Sequence, residues 1–167
     1  LDEQEREKRS EIGKQSWNKK SEAEKREVIE KGGQAIREAS RIGSKLERYI
    51  LEELTKLKYN VQFHREHVLR NNRLEIDLYV TDLQTAIEVD GPSHFEPVWG
   101  EENLIRNQRS DKQKTGLIIS QGRVLIRIKQ DKRISQRYFR NIFNKLVAEL
   151  EKIKTNFPEE DKRYIEI

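Results

Sequence analysis

Cysteine is absent from the chain, which removes disulfide frameworks and cysteine-ligated zinc from consideration and fits a reducing interior. No apolar run reaches the roughly 18 residues that a membrane-spanning helix needs, and no signal-peptide pattern opens the sequence. The expectation is a cytoplasmic protein with no membrane partner. An initiating methionine is missing too: the sequence opens on Leu1, so it reads as a fragment, and function carried upstream stays open. Apolar side chains are in short supply, at 34% of 167 residues against 38% charged. One modest domain of about 100–150 residues plus an extension accommodates that composition.

What is present is charge, unevenly spread. The net charge is only +4, yet Leu104 to Lys145 holds twelve Lys and Arg against two acids, Asp111 and Asp131. The other acids cluster around Glu22–Glu30, Glu47–Glu53 and Asp77–Asp90. A one-sided basic segment is the footprint of a polyanion, because neutralising phosphates releases counterions. A solvated helix face has the same composition, and charge alone does not choose between them.

Residues 1–43 form a polar, helical extension whose few anchors include Ile12, Trp17, Val28 and Ile36. Ser21 as N-cap, with Glu24 three residues on, opens a short helix that the Gly32–Gly33 pair is expected to end; a second helical piece follows. The main domain covers 44–155, and 156–167 reads as a tail. Leu46, Tyr49, Ile50, Leu54 and Leu57 share one helical stripe. Tyr59–Phe63, Arg73–Val80 and Thr85–Asp90 read as strands, the last two joined into a hairpin by a turn around Asp82. Gly91, Pro92, Pro97 and Gly100 mark a loop. A helix from about Glu102 to Ser120 stops at Gly122, Arg123–Ile128 is a strand, and Ile134 to Ile153 is a last helix. Helix, three strands, helix, strand, helix makes an α/β sandwich with a mixed sheet.

Strand periodicity places Leu74, Ile76, Leu78 and Val80 on one face and Asp77 on the other, beside Glu75 and Tyr79. In TAIEVD, Ile87 and Val89 face the core while Glu88 and Asp90 project together from the opposite face. Paired as a hairpin, the two strands bring Asp77, Glu88 and Asp90 toward one end of the sheet. Three close carboxylates repel strongly unless a cation lies between them. Oxygen-only ligation selects Mg²⁺, with Mn²⁺ as the substitute, rather than zinc. Each acid taken singly has the ordinary look of a half-exposed strand. His94, four residues after Asp90 in a Gly-Pro loop, is suited to act as a general base near neutral pH. His64 and His67 have no comparable setting and read as strand-surface residues.

The strings IDLYV, TAIEVDGPSHF, RNQRSDKQKTGL and QGRVLIRI together resemble the PD-(D/E)xK nuclease superfamily. The likeness is greatest to its branch of very-short-patch-repair (Vsr-like) endonucleases and the related phage homing endonucleases, and it spans about Ser44 to Ile128. It implies a restriction-endonuclease-like core, a four-stranded mixed sheet flanked by helices, and Mg²⁺-dependent phosphodiester cleavage in double-stranded DNA. Asp77 matches the hairpin aspartate and Glu88 the acid of the (D/E)xK element. Asp90 stands where the superfamily has lysine, and a carboxylate cannot replace an ammonium, so Asp90 is expected to bind metal or a metal-bound water. His94 resembles the loop histidine of Vsr-like members, and Glu47 resembles the family's helical glutamate, as a further ligand or an orienter.

Gln108, Arg109, Lys112 and Lys114 are the groups available to supply the missing positive charge, with Arg106 beside them for DNA. Gln108 and Lys112 share one helix face, with Lys114 on another. The extension resembles the small helical DNA-binding modules attached to homing endonucleases; Lys14, Trp17, Lys19 and Lys20 would then approach phosphates. A polar helical linker remains the alternative. The functional expectation is a metal-dependent endonuclease of the homing type, from a phage or bacterium. A repair nickase and a catalytically silent nucleic-acid-binding module are the alternatives. A compact single-site nuclease needs a homodimer or two sequential nicks to cut both strands.

Overall fold

The structure is a computed structural model that describes residues 3–65, 75–130 and 135–167. His67, Leu74, Asp131 and Ile134, on which parts of the sequence reading fall, lie outside these residues. The chain divides into two compact units, Leu1–Ile42 and Gly43–Ile167.

The first unit holds two helices, α1 (Glu3–Asn18) and α2 (Glu22–Ile42). Ser21 and Glu24 form the reciprocal bonds of a capping box: Ser21 N–H donates to Glu24 Oε2 at 2.7 Å, and Glu24 N–H to Ser21 Oγ at 3.3 Å. The Gly32–Gly33 pair does not end this helix, which runs on to Ile42. Two glycines cost helix propensity of about 2 kcal/mol relative to alanine, a penalty that a 21-residue helix carries in its interior.

The second unit contains α3 (Lys45–Lys56), β1 (Val61–Arg65), β2 (Ile76–Val80), β3 (Thr85–Asp90), α4 (Glu101–Ser120), β4 (Val124–Lys129), α5 (Gln136–Thr155) and β5 (Tyr164–Glu166). The strands lie in the order β1-β2-β3-β4-β5. The first three form an antiparallel meander, and β3–β4 and β4–β5 are parallel pairs linked through α4 and α5. The sheet therefore has five strands, not four. The extra strand comes from the segment read as a tail: Leu125 N–H donates to Arg163 O at 2.8 Å, and Ile167 N–H to Arg127 O at 2.9 Å. Three residues with one inward side chain are too few to show a period, which is why the pattern hid the strand.

One face of the sheet carries the main core. Leu78, Val80, Ile87, Val124, Ile126 and Ile128 pack against Leu46, Ile50 and Leu54 of α3 and Phe139, Leu146 and Leu150 of α5. The other face has a smaller cluster of Ile76, Tyr79, Ala86, Leu125 and Ile118, the last from α4. Ile76 thus lies with Tyr79 rather than with Leu78 and Val80, and strict alternation fails at the start of β2. The β2–β3 ladder stops at Leu78 and Ile87. Beyond it the Asp77 carboxylate, not a backbone carbonyl, accepts the Val89 N–H at 2.8 Å. The ladder gives way where the acids begin.

Ile165 and Ile167 pack against the main cluster, so deleting residues 158–167 removes apolar burial and exposes the β4 edge. A loss of stability on the order of 2 kcal/mol or more is expected in a urea titration. An unchanged midpoint would return this segment to the status of a tail.

Candidate active site

The acids on the α4-facing side of the sheet fall into two groups that are neutralised in different ways. The first gathers around Asp77 and Glu88, both largely buried. Lys114, reaching down from α4, forms an ion pair with Glu88 Oε2. Glu88 Oε1 is buried and has no hydrogen-bond partner among the described residues. Burial, with the negative charge of Asp77 next, raises the Glu88 carboxyl to about 8 despite Lys114. Burial also raises Asp77 to about 6, with Lys114 pulling the other way and Glu47 adding to the rise.

Glu47 stands behind this pair, in the first turn of α3. Its Oε1 accepts the Ser44 N–H at 3.1 Å, and Ser44 Oγ accepts the Glu47 N–H at 3.1 Å, a capping box that fixes the side chain. Its Oε2 meets His64 Nε2 at 2.8 Å, while His64 Nδ1 meets Glu75 Oε1 at 2.6 Å. His64 is therefore not a surface residue, as alternation along its strand suggests, but a bridge between two carboxylates. It holds a left-handed φ of 45°, a conformation that costs a non-glycine residue on the order of 1 kcal/mol. Gly43 makes room: a Cβ there would lie 2.6 Å from Phe63 Cζ, 2.8 Å from Glu47 Oε2 and 2.9 Å from His64 Nε2. No period in the sequence marks His64, because its placement depends on that irregular backbone.

The second group is centred on Arg127 of β4. The parallel register sets Arg127 beside Glu88 and Lys129 beside Asp90. Arg127 then grips Asp90 with two bonds, Nε to Oδ2 and Nη2 to Oδ1, each 2.6 Å. Its Nη2 lies 3.2 Å from Asp111 Oδ1, and Asp111 Oδ2 holds His94 Nδ1 at 2.9 Å. The hydrogen bond to Asp111 raises the His94 pKa against the effect of burial. Burial works against the charge of Asp111, but the bond to His94 and the Arg127 charge prevail and lower its pKa.

Charge counting separates the groups. Asp90 and Asp111 face Arg127 and His94, two acids against two bases, and the set is balanced as it stands. Asp90, His94 and Asp111 offer ligand atoms within 4.8 Å of one another, but a cation there would compete with a bidentate arginine. Among the described residues, Glu47, Glu75, Asp77 and Glu88 face only Lys114 and His64. The deficit of positive charge, and the orphaned Glu88 oxygen, are at Asp77 and Glu88. Asp90, expected to bind metal, pairs with Arg127 through both carboxylate oxygens and also belongs to the group it forms with His94 and Asp111. An arginine between the apolar residues of VLIRI and an acid flanked by basic residues in RSDKQK were the available signals for Arg127 and Asp111.

Of the remaining residues singled out from sequence, Gln108 and Lys112 line a cavity beside His94, on a different side of α4 from Lys114. Arg109 is exposed on α4, and Arg106 is exposed and bonded to Asn103 at 2.6 Å. In the first unit, Lys14, Trp17 and Lys19 are exposed and Lys20 is half-buried. No helix among the described residues is long and apolar enough to cross a membrane. Comparison with protein-family models and with curated proteins finds no match to this chain.

A carboxyl with a raised pKa binds its proton more tightly in the folded chain. Its stabilisation is complete below the unfolded value near 4 and is lost as pH rises through about 6 for Asp77 and about 8 for Glu88. In EDTA, the thermal midpoint is expected to fall across that interval, and Glu88→Gln is expected to flatten its upper part. Equal slopes in the two proteins would contradict the assignment.

Proposed function

We propose that the second unit is a metal-dependent DNA endonuclease, and that the first unit assists its hold on DNA. The observation that carries this reading is the buried pair Asp77 and Glu88, served by one ammonium, with Glu88 Oε1 lacking a partner among the described residues. That donor set fits a hard divalent cation such as Mg²⁺. Asp77 and Glu88 would hold it, while Glu47, engaged through both oxygens, acts as an orienter through His64. The bound cation would polarise the scissile phosphate and stabilise the leaving 3′ oxygen, giving a 5′ phosphate.

The chain's own residues supply the proton transfer and the surrounding charge. Asp111 holds Nδ1 of His94 and thereby leaves Nε2 as the atom that takes a proton from the attacking water. Arg127 pairs with Asp90 and Asp111 and fixes both, so that Asp111 does not draw toward the metal pair. Lys114 provides, from α4, the ammonium that the superfamily's motif carries two residues after its acid. A homing endonuclease is the form of the activity we favour. One site per chain cuts one strand, so plasmid nicked without linear product would favour the repair-nickase form.

Asp77→Ala and Glu88→Ala are expected to lower Mg²⁺-dependent cleavage of plasmid DNA by at least about a hundredfold. DNA binding in EDTA should change little. Cleavage by both variants at the wild-type rate would end the proposal.

The rate at saturating Mg²⁺ is expected to rise with pH until His94 is deprotonated. Because Asp111 is the main cause of the raised His94 pKa, Asp111→Asn should move that rise to lower pH while lowering the plateau. A rise left in place, or moved to higher pH, would exclude His94 as the base.

A further inference from the structure

A cavity of about 550 Å³ opens beside His94 and Asp111, between α4 and the ends of β3, β4 and β5. It is not needed to hold the metal pair, and its walls have an unusual chemistry. Phe95 and Tyr164 contribute two aromatic rings, each about two-fifths exposed, and Ile119 adds an apolar floor. Two of the cations that line it are engaged, Arg127 with Asp90 and Asp111, and Lys129 with Glu166 at 2.8 Å while its Nζ also sits 5.5 Å from the Phe95 ring centre; Lys112 lines it as well. Tyr164 donates its hydroxyl hydrogen to Glu166 as well. With two of its cations paired and the carboxylates of Asp90, Asp111 and Glu166 in its walls, this space is better matched to an uncharged group than to a phosphate. It is suited to a flat group with apolar faces and hydrogen-bonding edges.

Gly116 supplies the second observation. It lies in the interior of α4, where glycine weakens a helix relative to alanine, and it lines the cavity. A Cβ at this position would meet nothing within 4 Å, so packing within the chain does not demand glycine. A bare helix backbone facing an open cavity next to the reacting groups permits close approach of something from outside.

Resting on the nuclease reading above, we propose that this cavity receives one unstacked nucleobase of the DNA strand being cut, held between Phe95 and Tyr164 and against Gly116. Aromatic side chains hold unstacked bases in this way without regard to sequence. Turning a nucleotide out of the helix there would draw its flanking phosphate toward His94.

The test uses the full chain and a duplex spanning a mapped cut site, with binding measured in EDTA. Gly116→Leu projects into the cavity from a position where an added Cβ meets nothing within 4 Å, and it should raise or preserve the thermal midpoint. Its affinity for the intact duplex should fall about tenfold, as should that of Tyr164→Ala. Placing an abasic residue at successive positions around the cut should abolish the Gly116→Leu penalty at one of them. Wild-type affinity in Gly116→Leu, or a penalty unrelieved by any abasic position, would overturn the proposal. Failure of the wild type to cleave plasmid in Mg²⁺ would count against the nuclease reading instead.

Discussion

The structure turns on where positive charge is short. Burying a carboxylate is tolerable when a cation or several hydrogen-bond donors accompany it, and costly otherwise. Among the described residues, Lys114 pairs with Glu88 and, at longer range, acts with His64 on Asp77. Burial, only partly offset by the Lys114 ammonium, raises Asp77 to about 6 and Glu88 to about 8, and Glu88 Oε1 has no partner among the described residues. The supporting elements hold this group in place. The capping box at Ser44 locks Glu47, His64 ties Glu47 to Glu75, and Gly43 provides the space in which they meet.

Strand β3 organises both groups because it is antiparallel to one neighbour and parallel to the other. On the antiparallel side, the ladder to β2 ends early and Asp77 takes over the Val89 N–H. On the parallel side, register with β4 brings Arg127 next to Glu88 and within reach of Asp90. Two acids two residues apart on one strand thereby acquire different partners, Lys114 for Glu88 and Arg127 for Asp90. Proximity in sequence predicts a shared site, and the register divides it.

Much of this was readable from the sequence where periodicity was long. The stripes of α3 and α5, the hairpin and the facing of Ile87 and Glu88 follow from patterns that run through several turns or pairs. What stayed hidden is local or distant. Ile76 departs from alternation because the ladder breaks after Leu78. Strand β5 is three residues long and half-covered. The place of His64 depends on a left-handed backbone and a neighbouring glycine. The capture of Asp90 by Arg127 joins residues 37 positions apart, which no local pattern reports.

The departure at Asp90 looks different in this light. In isolation, an acid where a nuclease motif carries lysine is a loss of the positive charge that helps a phosphate react. Here the charge is not lost but delivered from other elements: Lys114 from α4 reaches Glu88, and Arg127 from β4 reaches Asp90. Arg127 also touches Asp111, the group that raises the pKa of His94. The acid at position 90 thus does for its neighbours what a lysine could not: it anchors the arginine that orients the histidine's partner. A lysine in its place would face Arg127 across adjacent strands, with like charges in a buried setting and no carboxylate between them. Replacing Asp90 alone would therefore leave Arg127 and Asp111 without the carboxylate around which the second group is built.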